Sequence, residues 1–200
     1  MKITLFGAAF NPPHLGHQQI VVSLLKEKLT DAVWLVPVKE HPFGKRLAPA
    51  ADRLAMTQLL ANSIQEELSE VGENADEQAV RVETFELDEP GISYSFRTLL
   101  TLSERYPDHQ FSFVIGSDNL TTFHKWDQYE AMLAQFSFFV YPRHGFPFDP
   151  LLAGMTPMQN MAEVRVSSTQ IREKLKTNET IDTLVPTMVV EYIRDRNLYR

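Results

Sequence analysis

The sequence predicts an α/β architecture: a doubly wound parallel sheet of about five strands with helices on both faces. Three observations carry this. Short apolar runs rich in β-branched and aromatic residues recur along the chain, and segments with helical apolar spacing lie between them. Strand and helix therefore alternate, the pattern of parallel strands joined by crossover helices. With 200 residues, 44% of them apolar, the chain can also bury a core of the size one such layer architecture needs.

The first strand is read at Ile3–Phe6 and the first helix at Leu15–Leu29. Ala32–Pro37 is the second buried run, followed by helical spacing over Ala50–Leu68. The acidic stretch Ser69–Gln78, broken by Gly72, reads as an exposed connector. Val80–Phe85 is the third strand and Tyr94–Tyr106 the next helix. Phe111–Ile115 and Phe136–Tyr141 are further strands, with a helix at Trp126–Leu133 between them. Arg143–Gln159 carries Gly145, Pro147, Pro150, Gly154 and Pro157 and reads as a long irregular loop with room for a short helical turn, a class of segment that is often functional or mobile. From Ser167 onward the chain is helical, with Pro186 dividing two helices. Val189, Val190 and Ile193 form an apolar stripe that suits either the core or a second copy, which leaves a homo-oligomer open. There is no internal repeat, and one domain over 1–200 is expected, with a core at 1–166 and a C-terminal helical segment at 167–200.

Composition narrows the function. A net charge of −7 and a pI near 5.4 argue against a sequence-independent grip on nucleic acid or on an anionic membrane, since both attract dense basic faces. The absence of cysteine excludes disulfides, thiolate catalysis and cysteine-based metal sites, and fits a reducing cytoplasm. Met1–Gly7 has no long apolar stretch of the export type, and no run approaches the roughly 20 residues that cross a bilayer. A cytoplasmic protein without membrane or nucleic-acid partners is expected.

The segment Gly7-Ala8-Ala9-Phe10-Asn11-Pro12-Pro13-His14-Leu15-Gly16-His17 leaves the first strand and enters the first helix, the place where open α/β sheets bind ligands. A helix start offers unpaired N–H groups and partial positive charge to phosphate oxygens. His14 and His17, three apart, share a helical face, so both can donate to one triphosphate. Gly16 between them lets a nucleobase or ribose come close to the backbone. Two other readings of these residues are a plain turn with surface histidines and a metal site, although no third ligand of matching spacing is evident. A second candidate is Val166-Ser167-Ser168-Thr169-Gln170-Ile171-Arg172. It sets three hydroxyls at a helix start, where they serve as caps or phosphate donors, and Arg172 one turn in, able to fork two phosphate oxygens.

The first segment resembles the G-x-F-D/N-P-x-H-x-G-H signature of the nucleotidyltransferase superfamily, matched by Gly7, Phe10, Asn11, Pro12, His14, Gly16 and His17. Asn11 stands where aspartate is common, keeping the accepting oxygen without the charge. The second resembles the superfamily's S/T-x-x-I-R element. Further likenesses point to the bacterial nicotinate-nucleotide adenylyltransferases: Ser93-Tyr94-Ser95 with Thr98-Leu99; Ile115-Gly116-Ser117-Asp118 followed by Trp126; Tyr141-Pro142-Arg143 with Gly145; and the ending Leu184-Val185-Pro186, Tyr192-Ile193, Leu198-Tyr199.

The resemblance implies a Rossmann-like sheet of strand order 3-2-1-4-5. It also implies AMP transfer from ATP to nicotinate mononucleotide, with Mg²⁺ carried on the phosphates and no protein metal site. His14, His17, Arg172 and Lys45 are the implied catalytic group. Gly7, Ala8, Phe10, Gly16, Gly116, Asp118, Arg143, Ser167, Ser168 and Thr169 join His14, His17 and Arg172 around ATP. Ala9, Lys45, Tyr94, Ser95 and Trp126 face the acceptor. On their own chemistry, Asp118 is either a helix cap or an acceptor from ribose hydroxyls, Trp126 either a core indole or a platform for a pyridine ring, and Arg143 either a solvated loop cation or an ATP contact. Tyr94 and Ser95 open a helix whose N–H groups suit a carboxylate. The clearest departure is Val38-Lys39-Glu40-His41-Pro42-Phe43-Gly44-Lys45-Arg46, where the family shows P-P-H-K or P-P-H-R. Lys45 is favoured over Lys39 and Arg46 for the acceptor phosphate. Nicotinamide mononucleotide and phosphopantetheine are the alternative acceptors, and a non-catalytic nucleotide-binding module is the rival outside enzymes.

Overall fold

The structure, a computed structural model, describes residues 1–40, 47–70, 78–89, 91 and 93–200. The strands are β1 (Lys2–Ala8), β2 (Ala32–Pro37), β3 (Val80–Val82), β4 (Gln110–Gly116), β5 (Ser137–Tyr141) and β6 (Met155–Pro157). The helices are α1 (Leu15–Lys26), α2 (Ala50–Glu70), α3 (Phe85–Asp88), α4 (Ser95–Arg105), α5 (Tyr129–Gln135), α6 (Ser168–Lys176) and α7 (Thr187–Asp195), with a 3₁₀ segment at Ser117–Lys125. All six strands pair in parallel in the order β3-β2-β1-β4-β5-β6.

Alternation along each strand divides two cores. Phe6, Val33, Leu35 and Val114 face Ile20 and Leu24 of α1 and Leu60 and Ile64 of α2. Leu5, Trp34, Val36, Phe113 and Ile115 face Phe96 and Leu99 of α4 and Met132 of α5. A third cluster joins Met56 of α2 to Ile171 and Leu175 of α6 and to Val189, Val190 and Ile193 of α7. The C-terminal stripe thus packs against this chain's own helices.

Four sequence expectations change. The third strand stops at Val82, because the Glu83 carboxylate accepts from the Phe85 N–H (3.1 Å) and turns the chain into α3. The first helix ends at Lys26, just ahead of Lys28 in the left-handed region at φ 53°. The helix expected from Trp126 begins only at Tyr129, since Gln128 is also left-handed, at φ 50°. Within the long loop the short strand β6 extends the sheet beside β5, which raises the expected five strands to six. Pro157 is tolerated there because an edge strand needs fewer N–H donors. Among the described residues no helix is long and apolar enough to cross a membrane.

β1 has β2 on one side and β4 on the other, so the strand order reverses between β1 and β4. The carboxyl ends of those two strands, Ala8 and Gly116, open a crevice at the switch point, where doubly wound sheets take their ligands.

Candidate active site

The turn after β1 is held from several sides. Phe10 takes a left-handed backbone (φ 45°) that costs a side-chain-bearing residue of order 1 kcal/mol. Its ring offsets this by burial, edge-on to Phe6 at 5.8 Å and tilted over His17 at 5.0 Å. His14 caps α1 in extended geometry. Its N–H donates to Nδ1 of His17 at 3.0 Å. Nδ1 of His17 is therefore an acceptor, and a neutral ring carries its proton on Nε2, free to donate. The two imidazoles stack with centroids 3.7 Å apart, and Nδ1 of His14 is buried with no hydrogen-bond partner among the described residues.

Both rings are neutral at ordinary pH. Burial lowers the His14 pKa well below the usual histidine value, helped by the adjacent His17 ring and by the Arg143 charge. Burial, then Arg143, brings His17 down to about 3. Gly16 makes this arrangement possible, because a Cβ there would stand 2.7 Å from Val164, 2.8 Å from Val166 and 3.0 Å from His14 Nδ1.

The second element is fastened to the first. Ser167 caps α6, its hydroxyl accepting from the Gln170 N–H at 3.2 Å. Ser168 donates to the Pro12 carbonyl at 2.8 Å, and Arg172 donates to the Asn11 carbonyl at 2.7 Å and to Thr169 Oγ1 at 3.1 Å. Two segments more than 150 positions apart thus meet, bringing two helix N-termini, two imidazoles and a guanidinium to one edge of the crevice. Across it, Arg143 donates to the Val166 carbonyl at 3.1 Å and lies 3.8 Å from the Asp118 carboxylate. Gly116 leaves room for that pair, since a Cβ would meet Asp118 Oδ1 at 2.3 Å and Arg143 Cγ at 2.9 Å.

A cavity of about 300 Å³ runs from this edge into the molecule. Gly7, Ala8, Ala9, His17 and Gly116 line it near the turn after β1 and the end of β4, and Tyr94, Ser95 and Trp126 line it as well. Trp126 packs on Phe123 (5.1 Å) and edge-on to Phe113 (6.3 Å), as a core indole does, and it also lines the cavity. Tyr94 caps α4 at the cavity wall and is 41% exposed. His14, Gly16, Asp118, Arg143, Ser167, Ser168, Thr169 and Arg172 stand beside the cavity rather than in its lining. Lys39 is engaged elsewhere, its ammonium donating to the Glu89 carbonyl at 2.9 Å. Lys45 and Arg46 lie outside the described residues. Among the described residues no three histidine, aspartate or glutamate side chains converge as a metal site.

Three residues absent from the sequence reading of the site support it. Arg53 is 1% exposed and donates to the carbonyls of Ala9 (3.0 Å), Val38 (2.6 Å), Lys39 (3.1 Å) and Ala48 (3.1 Å). It sits at helical spacing with Met56, Leu60 and Ile64 on the buried face of α2, which is the signal that reveals it. Tyr199 donates to Asn11 Oδ1 at 2.9 Å and so braces the turn after β1. Glu86 of α3 is buried and lines the cavity.

Comparison with known proteins accords with this geometry. The cytidylyltransferase-like family model matches residues 5–174. The nicotinate-nucleotide adenylyltransferase of Bacillus subtilis is 32% identical over 201 residues, covering 99% of this chain and 98% of its own. A protein of Anaeromyxobacter sp. (strain K), named a probable nicotinate-nucleotide adenylyltransferase, is 33% identical over 200 residues, covering 100% and 97%. The Plasmodium falciparum nicotinic acid mononucleotide adenylyltransferase, solved with NaAD, superposes at a TM-score of 0.80 over 99% of this chain and 97% of that one. At 19% identity, that likeness bears on the fold.

Proposed function

Because the chain belongs to the cytidylyltransferase-like family, and within it to the nicotinate-nucleotide adenylyltransferases, we propose that it transfers AMP from ATP to nicotinate mononucleotide, giving the deamido dinucleotide and pyrophosphate. The observation that carries this reading is the junction of the two phosphate elements. Ser168 and Arg172 hold the α6 start against the carbonyls of Pro12 and Asn11, beside the stacked His14 and His17.

An oxygen of the acceptor phosphate attacks the α-phosphorus of ATP. One P–O bond forms, the bond to the bridging oxygen breaks, and pyrophosphate leaves with that electron pair. No protein nucleophile is needed, so the chain contributes alignment and charge stabilisation. His17 donates through Nε2–H, neutral and locked by the His14 N–H, and His14 presents the stacked neighbouring ring. Arg172 and the N–H groups at the α6 start, opened by Ser167, Ser168 and Thr169, take the leaving phosphates. Asp118 and Arg143 bind the adenosine portion, with Gly7, Ala8, Phe10, Gly16 and Gly116 allowing close approach. Mg²⁺ carried on the nucleotide would supply further positive charge at the leaving phosphates, beside Arg172 and the N–H groups at the α6 start. The His17 Nε2–H, the Arg172 guanidinium and the hydroxyls of Ser167, Ser168 and Thr169 would bind phosphate oxygens rather than the ion itself.

The acceptor occupies the cavity wall formed by Ala9, Tyr94, Ser95 and Trp126, with the ring against Trp126 and its carboxylate at the α4 start. Lys45 is assigned to the acceptor phosphate. The Lys39 ammonium donates to the Glu89 carbonyl at 2.9 Å, which favours Lys45 or Arg46 over Lys39 for this role. Pyrophosphate release from MgATP against nicotinate mononucleotide, nicotinamide mononucleotide and phosphopantetheine tests the reading. The acid mononucleotide is expected to give the highest kcat/KM, and a higher value with either other acceptor would overturn the assignment.

A further inference from the structure

We propose that Glu86 is a specificity residue for the acceptor, its carboxyl presenting an O–H donor to the acid group on the acceptor's ring. The inference rests on the nicotinate reading above. Glu86 is 5% exposed and lines the cavity beside Ser93, Tyr94, Ser95 and Trp126. Thr98 donates to its Oε1 at 2.6 Å, which fixes that oxygen as an acceptor. Oε2 is buried and has no hydrogen-bond partner among the described residues. A buried polar atom without a partner is costly unless another group comes to pair with it.

Two acceptors that differ only in the ring substituent pair oppositely with that atom. A carboxylate can only accept, so it needs Glu86 protonated; a carboxamide brings N–H donors that pair best with an ionised Glu86. Burial favours the protonated form and pushes the Glu86 pKa up, with the Thr98 and Ser93 hydroxyls and the Arg97 charge acting against it. Arg97 is itself paired with Glu89, and the Lys39 ammonium is held by the Glu89 carbonyl. The other titratable groups facing the cavity are Lys125 and Asp127, both exposed, Tyr94 at its mouth and Tyr141, whose burial keeps it protonated, and the neutral His17. Neither these groups nor the nearby Ser93 hydroxyl makes a hydrogen bond to Oε2. An arriving carboxylate adds like charge beside Glu86, so binding of the acid acceptor draws a proton from solvent onto it.

Two measurements on the full chain test this. In calorimetric titrations at pH 8, with buffers of different ionisation enthalpy, nicotinate mononucleotide binding to the wild type is expected to take up a measurable fraction of a proton, and binding to Glu86→Gln none, since Gln is neutral at every pH. In steady state, wild-type kcat/KM for the acid acceptor is expected to fall on the alkaline side by up to about tenfold per pH unit, a limb that nicotinamide mononucleotide does not share and that Glu86→Gln flattens. Glu86→Leu, which offers no donor, is expected to raise KM for the acid acceptor about tenfold or more, the range of a lost buried hydrogen bond, with KM for ATP little changed. Proton uptake or an alkaline limb that persists in Glu86→Gln overturns the assignment, as does an equal loss for acid and amide acceptors in Glu86→Leu. If the wild type makes no dinucleotide from nicotinate mononucleotide, the functional reading itself fails. If it does and Glu86→Gln behaves as the wild type, only the role of Glu86 fails.

Discussion

Replacing Arg53 separates two opposing energies at the base of the site. Its guanidinium donates to four carbonyls, those of Ala9, Val38, Lys39 and Ala48, and makes no ion pair among the described residues. Arg53→Met keeps the length of the stem and removes every donor. At about 1–1.5 kcal/mol for each carbonyl stripped of its partner, the loss is about 4–6 kcal/mol. The same change relieves the desolvation of a charge without a counter-ion, a gain of about 2 kcal/mol within the several that such burial costs. Net destabilisation of about 2–4 kcal/mol follows, which for a chain of this size lowers Tm by about 4–16 °C. Arg53→Lys retains the charge but not the fork, so it should also destabilise and cannot reproduce the four-way geometry. Because two of the four carbonyls belong to the phosphate turn and the end of β2, KM for both substrates should rise in parallel with the loss of stability. Thermal and urea unfolding with steady-state kinetics on both variants measure this. An Arg53→Met protein as stable as the wild type would refute the reasoning, since desolvation of the charge would then outweigh the hydrogen bonds.

Gly16→Ala places a Cβ at 2.7–3.0 Å from Val164, Val166 and His14; overpacking of about 1–3 kcal/mol and a loss of turnover exceeding the loss of ATP affinity are expected, and wild-type stability with wild-type turnover would count against the packing argument. Stability should also depend on the histidines through pH. His17 titrates near 3 in the fold against about 6.5 when unfolded, so the unfolded chain binds more protons between those values. That contribution is fully present above pH 6.5 and is lost as the pH falls, at about 1 kcal/mol per pH unit between pH 5 and 6; urea unfolding of His17→Gln should show the slope reduced by that amount. Tyr199→Phe removes the donor to Asn11 Oδ1 and should cost about 0.5–1.5 kcal/mol together with a rise in KM for ATP, whereas a change in stability alone would confine Tyr199 to a packing role.

Much of this site is local in the sequence. His14, Gly16 and His17 follow β1 directly, and Ser167 to Arg172 open α6, so spacing beside a strand or a helix start identifies them without any knowledge of the fold. What spacing does not carry is pairing across the chain. Nothing near position 199 signals that its hydroxyl meets Asn11, and Arg53 looks like an ordinary helix cation until its place on the apolar face of α2 is counted. Glu86 escaped because Val80–Phe85 reads as one apolar run, and only the Glu83 carboxylate bonding the Phe85 N–H turns the chain there and brings Glu86 to the cavity. The edge strand β6 escaped because three residues among glycines and prolines carry too little periodicity to outweigh their neighbours. The neutrality of the histidines is likewise a property of burial and of Arg143, which reaches their neighbourhood from the end of β5.

The central claim is AMP transfer to nicotinate mononucleotide at the paired histidines, and product formation from MgATP and that acceptor by wild type and His17→Ala tests it most directly. The wild type should release pyrophosphate and form one dinucleotide per turnover, while His17→Ala should retain ATP binding and lose about 10²–10³ in kcat, the effect of removing one preorganised donor. Equal turnover by the two proteins, or ATP binding by the wild type without dinucleotide from any acceptor, would contradict it.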